Sequence, residues 1–421
     1  MASFRSPEPE PGSERARFLA RALSLQAHAC RDQWRNEEAA NLSVSALSLL
    51  DEQRSPGEAG HAWLVYALSS FWLGKVQAGL DASERALALY ECAGDNWETV
   101  RALRLVGSCY DWIGHGRAEA YLRESIRLQQ GRPDGFGGVP ESLADLGDLL
   151  SGHSNYAEGC RLMREALALM EGRGDSWGSF TCRQNLARAE RRLGNYADAE
   201  AHARQSLALA RDTFPFAENW CRALLADVLK ERGLLDEASV HYRASMADDV
   251  PVTIALCTLN LGDIALLRGD RAEAARALSQ SLSDFERLDT RWGIVIACDS
   301  LGYLACVEER YAEASAYFQR ALALSAPFGL LPLALNVLAG EALLQSRVGQ
   351  AERAVELLTV VTRHPMSERQ TLTRRVEPLL RELSSRLPAL TLDAASARGQ
   401  ALEFEQVLRE LAEARRSPAV A

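Results

Sequence analysis

Three arginines, Arg188, Arg191 and Arg192, crowd together beside Asn185 in a chain that is otherwise acidic, with 47 basic against 57 acidic side chains. On a helix these four positions share one face. Guanidinium groups held side by side are suited to bidentate contacts with carboxylates, so the chemistry they suggest is recognition of an anionic segment. The amide of Asn185 both donates and accepts, as a clamp on an extended peptide backbone must. Asn260 offers a second such amide. Aspartates stand at related positions, Asp145, Asp148, Asp227 and Asp263, and Trp112 and Tyr303 add aromatic faces. A chain laid along these residues meets alternating charge, which fixes its register and direction. The competing reading is that the arginines pair with the aspartates inside the empty protein, as surface ion pairs often do.

Residues for covalent or metal chemistry are scattered instead. The seven histidines (28, 61, 115, 153, 202, 241 and 364) show no HxxxH or HExxH spacing, so no single helix presents two of them to a metal ion. Nine cysteines stand singly between Cys30 and Cys306 with no CxxC pair, which argues against a disulfide framework or zinc cage and for a reducing, cytoplasmic setting. Gly174-Asp175-Ser176-Trp177-Gly178 has the Gly-x-Ser-x-Gly spacing, but it falls in a loop between repeat units, where Asp175 reads as the turn residue before the next helix and not as part of a nucleophile elbow. Gly74-Lys75 lacks both the upstream glycine and the following Ser/Thr of a phosphate loop. No catalytic, cofactor or metal site is expected, and the chain reads as non-enzymatic.

The elements that must position the arginines repeat. A small residue following an apolar one recurs at Ala67, Gly107, Gly147, Ala187, Ala226, Gly262, Gly302 and Ala342, at intervals of 40, 40, 40, 39, 36, 40 and 40 residues. Each marker sits on an apolar stripe of helical period that ends at a turn position seven residues on, glycine at 74, 114, 194, 233, 269 and 349. A second stripe follows, opening on Ala199, Ala238, Ala274 or Ala314 and closing on "AL" as in Ala166-Leu167. Each unit is therefore read as two antiparallel helices, and a small residue is needed where their axes approach to roughly 8–10 Å. Positions two before and one, four and five after a marker fall on the inner face of such an array, which is where the arginines and asparagines lie.

Trp63, Tyr66-Ala67, Gly74 and Ala86 in one unit, and Leu186-Ala187, Gly194, Tyr196 and Ala199 in another, resemble the tetratricopeptide repeat pattern. The unit here is longer than the usual length of about 34 residues. In that length the chain resembles the arrays of bacterial STAND-class and LuxR-type regulators. The resemblance implies an all-α, right-handed solenoid of about 9–10 units that binds a peptide or partner-protein segment in its concave groove, with an ATPase or regulator as a candidate partner. It leaves open a scaffold that joins a larger complex through its ends and, as an outside alternative, an enzyme on a solenoid.

Charge and boundaries complete the reading. A net charge of −10 repels phosphate backbones and anionic lipid, so neither nucleic acid nor membrane is an expected partner, and charges interrupt every apolar run before it reaches the about 18 residues of a spanning helix. Residues 1–13 are expected to be a disordered tail, 14–365 the repeat array, 366–416 closing helices and 417–421 a short tail.

Overall fold

The computed structural model describes residues 9–33, 35–73, 75–112, 116–129, 139–152, 155–248, 250–325 and 330–413. Among them the regular elements are all helical, and the fold is an all-α solenoid of antiparallel pairs. Most of the expected N-terminal tail, the C-terminal tail, Gly74, Gly114, His115 and His153 lie outside the described residues.

The chain divides into two compact units. The first comprises residues 1–152 and 158–178, and the second 153–157 and 179–421. The first contains α1 (Glu14–Asp32), α2 (Asn36–Leu47), α3 (Pro56–Trp72), α4 (Val76–Ala93), α5 (Asn96–Trp112), α6 (Ala118–Gln129), α7 (Val139–Gly152) and most of α8 (Tyr156–Gly172). The second contains most of α9 (Ser176–Leu193), then α10 (Tyr196–Thr213), α11 (Glu218–Glu231), α12 (Leu235–Ser245), α13 (Pro251–Leu267), α14 (Arg271–Arg287), α15 (Arg291–Val307), α16 (Tyr311–Ser325), α17 (Leu331–Arg347) and α18 (Ala351–Arg363). It closes with α19 (Arg369–Thr371), which runs through a π turn (Leu372–Val376) into α20 (Glu377–Arg386), and with α21 (Ala389–Ala401) and α22 (Phe404–Glu413).

The markers lie where paired helices cross. Ala67, Ala187, Ala226 and Ala342 are fully buried. A methyl group on Gly107 would stand 2.8 Å from Leu122, one on Gly262 2.9 Å from Leu278 and one on Gly302 2.6 Å from the Phe318 ring. The tightest crossing joins Gly147 of α7 to Gly159 of α8, where an added Cβ on Gly159 would lie 2.5 Å from the Gly147 carbonyl oxygen. Tight turns end the first helices. Gly194, Gly233, Gly269 and Gly349 have φ between +80° and +87°, a region open to glycine at little cost. Glu309 holds the same place in its unit, at φ +60°.

The charged closing helix is anchored by its apolar side. Val376, Leu379 and Leu383 are buried in the core that also contains Leu301, Leu338 and Leu358. This packing fixes the helix beside α17, where Arg347 grips Glu382 at 2.6 and 3.1 Å.

Candidate partner-binding face

In the second unit the polar positions of successive first helices meet one another. Arg191 on α9 pairs with Glu231 on α11, whose side chain is almost wholly buried. Lys230, on the same turn of α11, donates to Asn260 on α13 and stands 3.4 Å from Asp263. On α15, Asp299 accepts from the Asn336 amide of α17 at 2.7 Å. Each link joins neighbouring units, with sequence separations of 40, 30 and 37 residues respectively.

The segment leading into the closing helix reaches the same face. Glu368 lies 3.4 Å from Arg192. Arg374 donates to the Lys230 carbonyl at 3.2 Å, which also accepts from the Gly233 amide at 3.1 Å in the turn that ends α11. Arg375 meets Asp299 through both terminal nitrogens, each at 2.8 Å, with its guanidinium 5.3 Å from the centre of the Tyr303 ring. Thr371 donates to the Asn336 side chain at 3.0 Å. Gly340 leaves room for this arrangement, since a Cβ there would stand 3.3 Å from the Arg375 guanidinium and 2.5 Å from Phe318.

Burial dominates the electrostatics. It pushes the Asp299 carboxyl above its ordinary range, with Arg375 acting against the shift. At Arg191, burial is the largest single influence and opposes the charge, yet Glu231, Asp227 and Glu368 together hold the guanidinium above its usual range. Hydrogen-bonding capacity is left over: Arg191 Nε and Glu231 Oε2 are both buried without a hydrogen-bond partner among the described residues.

The residues singled out from the sequence are placed as follows. Asn185 accepts from Arg188, which is exposed on α9. Asp227 is engaged by the buried Tyr242 of its own helix pair, and Asn260 also donates to the Leu256 carbonyl at 3.1 Å. Tyr303 packs under Arg375. In the first unit, Asp145 on α7 accepts from Arg104 at 3.2 Å and Ser108 at 3.1 Å, its carboxyl raised by burial against the pull of Arg104. Asp148 is exposed on the same helix, and Trp112 ends α5 with its side chain outside the described residues.

Sequence reasoning missed Asp299, Asn336, Arg374, Arg375, Glu231 and Glu368. Two signals were available. Asp299 follows the apolar run Ile294-Val295-Ile296-Ala297-Cys298, and Arg374-Arg375 interrupts an apolar stripe between Leu372 and Val376. A charge placed so must find a partner or unfold its helix.

Among the described residues no group of three or more His, Cys, Asp or Glu is placed to hold a metal ion, and no helix is long and apolar enough to cross a membrane. Eight of the nine cysteines are buried. Burial pushes the thiols of Cys109, Cys221, Cys257 and Cys298 up to about 11 and that of Cys306 to about 12, away from the thiolate a nucleophile needs.

Residues 139–212 match the family model of the tetratricopeptide repeat. The chain carries tetratricopeptide repeats. Solved structures extend the likeness beyond that stretch. A Rap protein complexed with competence and sporulation factor superposes with a TM-score of 0.60 at 16% identity, over 85% of this chain and 99% of its own. The apo form of the quorum sensor NprR from B. thuringiensis gives 0.58 at 11% identity, over 82% and 97%. Aspartyl phosphate phosphatase F from Bacillus subtilis gives 0.53 at 12%, over 68% and 75%. At such identities the likeness is one of fold. No curated protein matches the chain.

Proposed function

We propose that the tetratricopeptide repeats form a regulatory binding module, and that the first-helix face of the second unit takes up an extended segment of a partner protein or a peptide. The observation that carries this reading is the unspent hydrogen-bonding capacity of Arg191 Nε and Glu231 Oε2, a buried donor and acceptor on facing helices. A peptide backbone supplies the complementary N–H and C=O, and leaving such buried groups unmade costs about 1–3 kcal/mol each. Asn185 and Arg188 extend the polar strip along α9, and Asn260 and Asp263 along α13. The neighbour named as complexed with competence and sporulation factor supports a ligand-holding role for this architecture. The neighbour named a phosphatase is alike in fold at 12% identity, and no activity is carried over from its name.

Capture of partners by the full chain, followed by mapping of the bound segment, tests the proposal. Arg188→Glu, on an exposed position, is expected to weaken binding of the mapped segment more than about tenfold, the loss of a charge-assisted contact, while the thermal midpoint stays within a degree or two, about what an exposed substitution costs. Wild-type affinity in the folded variant would remove the groove from consideration.

A second reading has its own observation. On α1, Phe18 and Leu25 are 78% and 66% exposed, and with Ala22 and Ala29 they form an open stripe at heptad spacing. A scaffold joined end to end would use that stripe, and Phe18→Glu would then abolish capture that Arg188→Glu leaves intact.

A further inference from the structure

The face read above as a binding groove is already occupied by the chain itself. We propose that Glu368–Arg375 is a latch lying across it, and that a partner gains access only when the latch lifts; this rests on the groove reading and adds its regulation.

The geometry separates a fixed part of the closing helix from a movable one. From the last residue of the π turn onward, Val376, Leu379 and Leu383 bury the helix in the core. Up to and through most of the turn, Thr371 is the only residue of Glu368–Arg375 that is buried, Leu372 alone packs partly buried on the core, and the other attachments are polar: Glu368 to Arg192, Thr371 to Asn336, Arg374 to the Lys230 carbonyl and Arg375 to Asp299. Those four contacts fall on α9, α17, α11 and α15. One short segment therefore ties together first helices that otherwise meet only their neighbours. A π turn widens the helix at the junction, and such turns recur where helices serve function rather than packing alone. A segment held by few apolar contacts is also the kind that opens locally at lower free energy than the global fold.

The strongest attachment is the fork of Arg375 on Asp299. One N–H···O bond and a second close N···O contact to the same carboxylate, with an aromatic ring under the guanidinium, form a geometrically exacting contact. Losing it removes the main hold of the latch without touching Val376, Leu379 or Leu383.

Lysine chemistry can read the state of the latch, because the chain has only two lysines. Lys75 is exposed in the first unit, and Lys230 is 9% exposed on the face, its carbonyl capped by Arg374. The experiment acetylates the full-length protein with an N-hydroxysuccinimide ester and follows both lysines by mass spectrometry, wild type beside Arg375→Ala. The expected result is labelling of Lys230 accelerated about tenfold or more, with Lys75 unchanged and amide exchange in α15 and α17 at the wild-type rate, as local opening requires. Unchanged labelling of Lys230 would overturn the latch. So would exchange that speeds up throughout α15 and α17, since the segment would then be an integral part of the core. Glu368→Gln, at the half-buried far end of the segment, gives a smaller acceleration under the same criteria and keeps the test decisive if Arg375→Ala fails to fold. No partner enters this readout, so failure of the latch leaves the groove proposal standing, and loss of the groove by the Arg188→Glu test leaves the latch standing.

Discussion

The seams between paired helices and the first-helix face of the second unit are built from opposite materials. At a seam, specificity comes from the absence of side chain: Gly302 makes room for the Phe318 ring and Gly147 for the backbone at Gly159. On the face it comes from charge placed where water is scarce, as in Arg191 with Glu231 and Arg375 with Asp299. Seams are local, pairing positions 12 to 16 residues apart, and they repeat with the unit. The contacts of the face span 30 to 176 residues and each occurs once. The lesson is that repetition builds the scaffold, whereas the face is made individual by departures from it.

The contrast can be broken most severely at a seam. Gly302→Leu drives a side chain into the space held by Phe318, which is itself fully buried, and is expected to cost about 3 kcal/mol or more, at the upper end for an overpacked core. Chemical denaturation measures it, and an unchanged midpoint would mean that the seam tolerates bulk.

A charge at a core position sharpens the comparison from the other side. Glu341, next to the marker Ala342, is 4% exposed; Gln345 donates to it at 2.6 Å, while its Oε2 has no hydrogen-bond partner among the described residues. Burial raises its carboxyl above the ordinary range. A raised carboxyl contributes stability below its unfolded value, and that contribution is lost as pH rises through the folded value. Glu341→Gln is therefore expected to stabilise by about 1 kcal/mol near neutrality and by nothing below about pH 4, the ordinary range of a glutamate. Equal stabilities at both ends of a pH series of unfolding curves would refute it.

The smallest effect lies at a turn. Glu309 adopts φ +60° at the turn position where Gly194, Gly233, Gly269 and Gly349 take positive φ, so Glu309→Gly should relieve backbone strain and raise stability by about 0.5–1 kcal/mol, after the entropy that glycine adds to the unfolded chain is subtracted. A loss of stability in thermal unfolding would show that the glutamate side chain matters more than its backbone.

How much of this was legible follows from the same division. The markers, the glycine turns and the helix pairs could be read directly, because a seam needs small residues at a fixed period and a tight turn needs positive φ. The opening of α1 at Glu14, behind the Ser13 hydroxyl that accepts from the Ala16 amide at 3.2 Å, follows the same local rules. The inner positions on α9, α11 and α13 were found by counting from the markers. Which groups they would meet could not be counted. Glu231 answers Arg191 from the next unit, and Arg375 answers Asp299 from 76 residues away, a distance at which period carries no information. The closing residues were read as caps, and nothing in their spacing shows that Arg374 and Arg375 turn back to α11 and α15.

The buried cysteines have a use beyond packing. Cys109, Cys160, Cys182, Cys221, Cys257 and Cys298 lie on α5, α8, α9, α11, α13 and α15, while Cys92 stays exposed. Each buried thiol is shielded from a reagent until its own stretch of the array opens, so the protein carries a built-in row of clocks. Timed alkylation would record the order in which successive repeats come apart, whether fraying runs inward from one end or begins in the middle, with no label introduced.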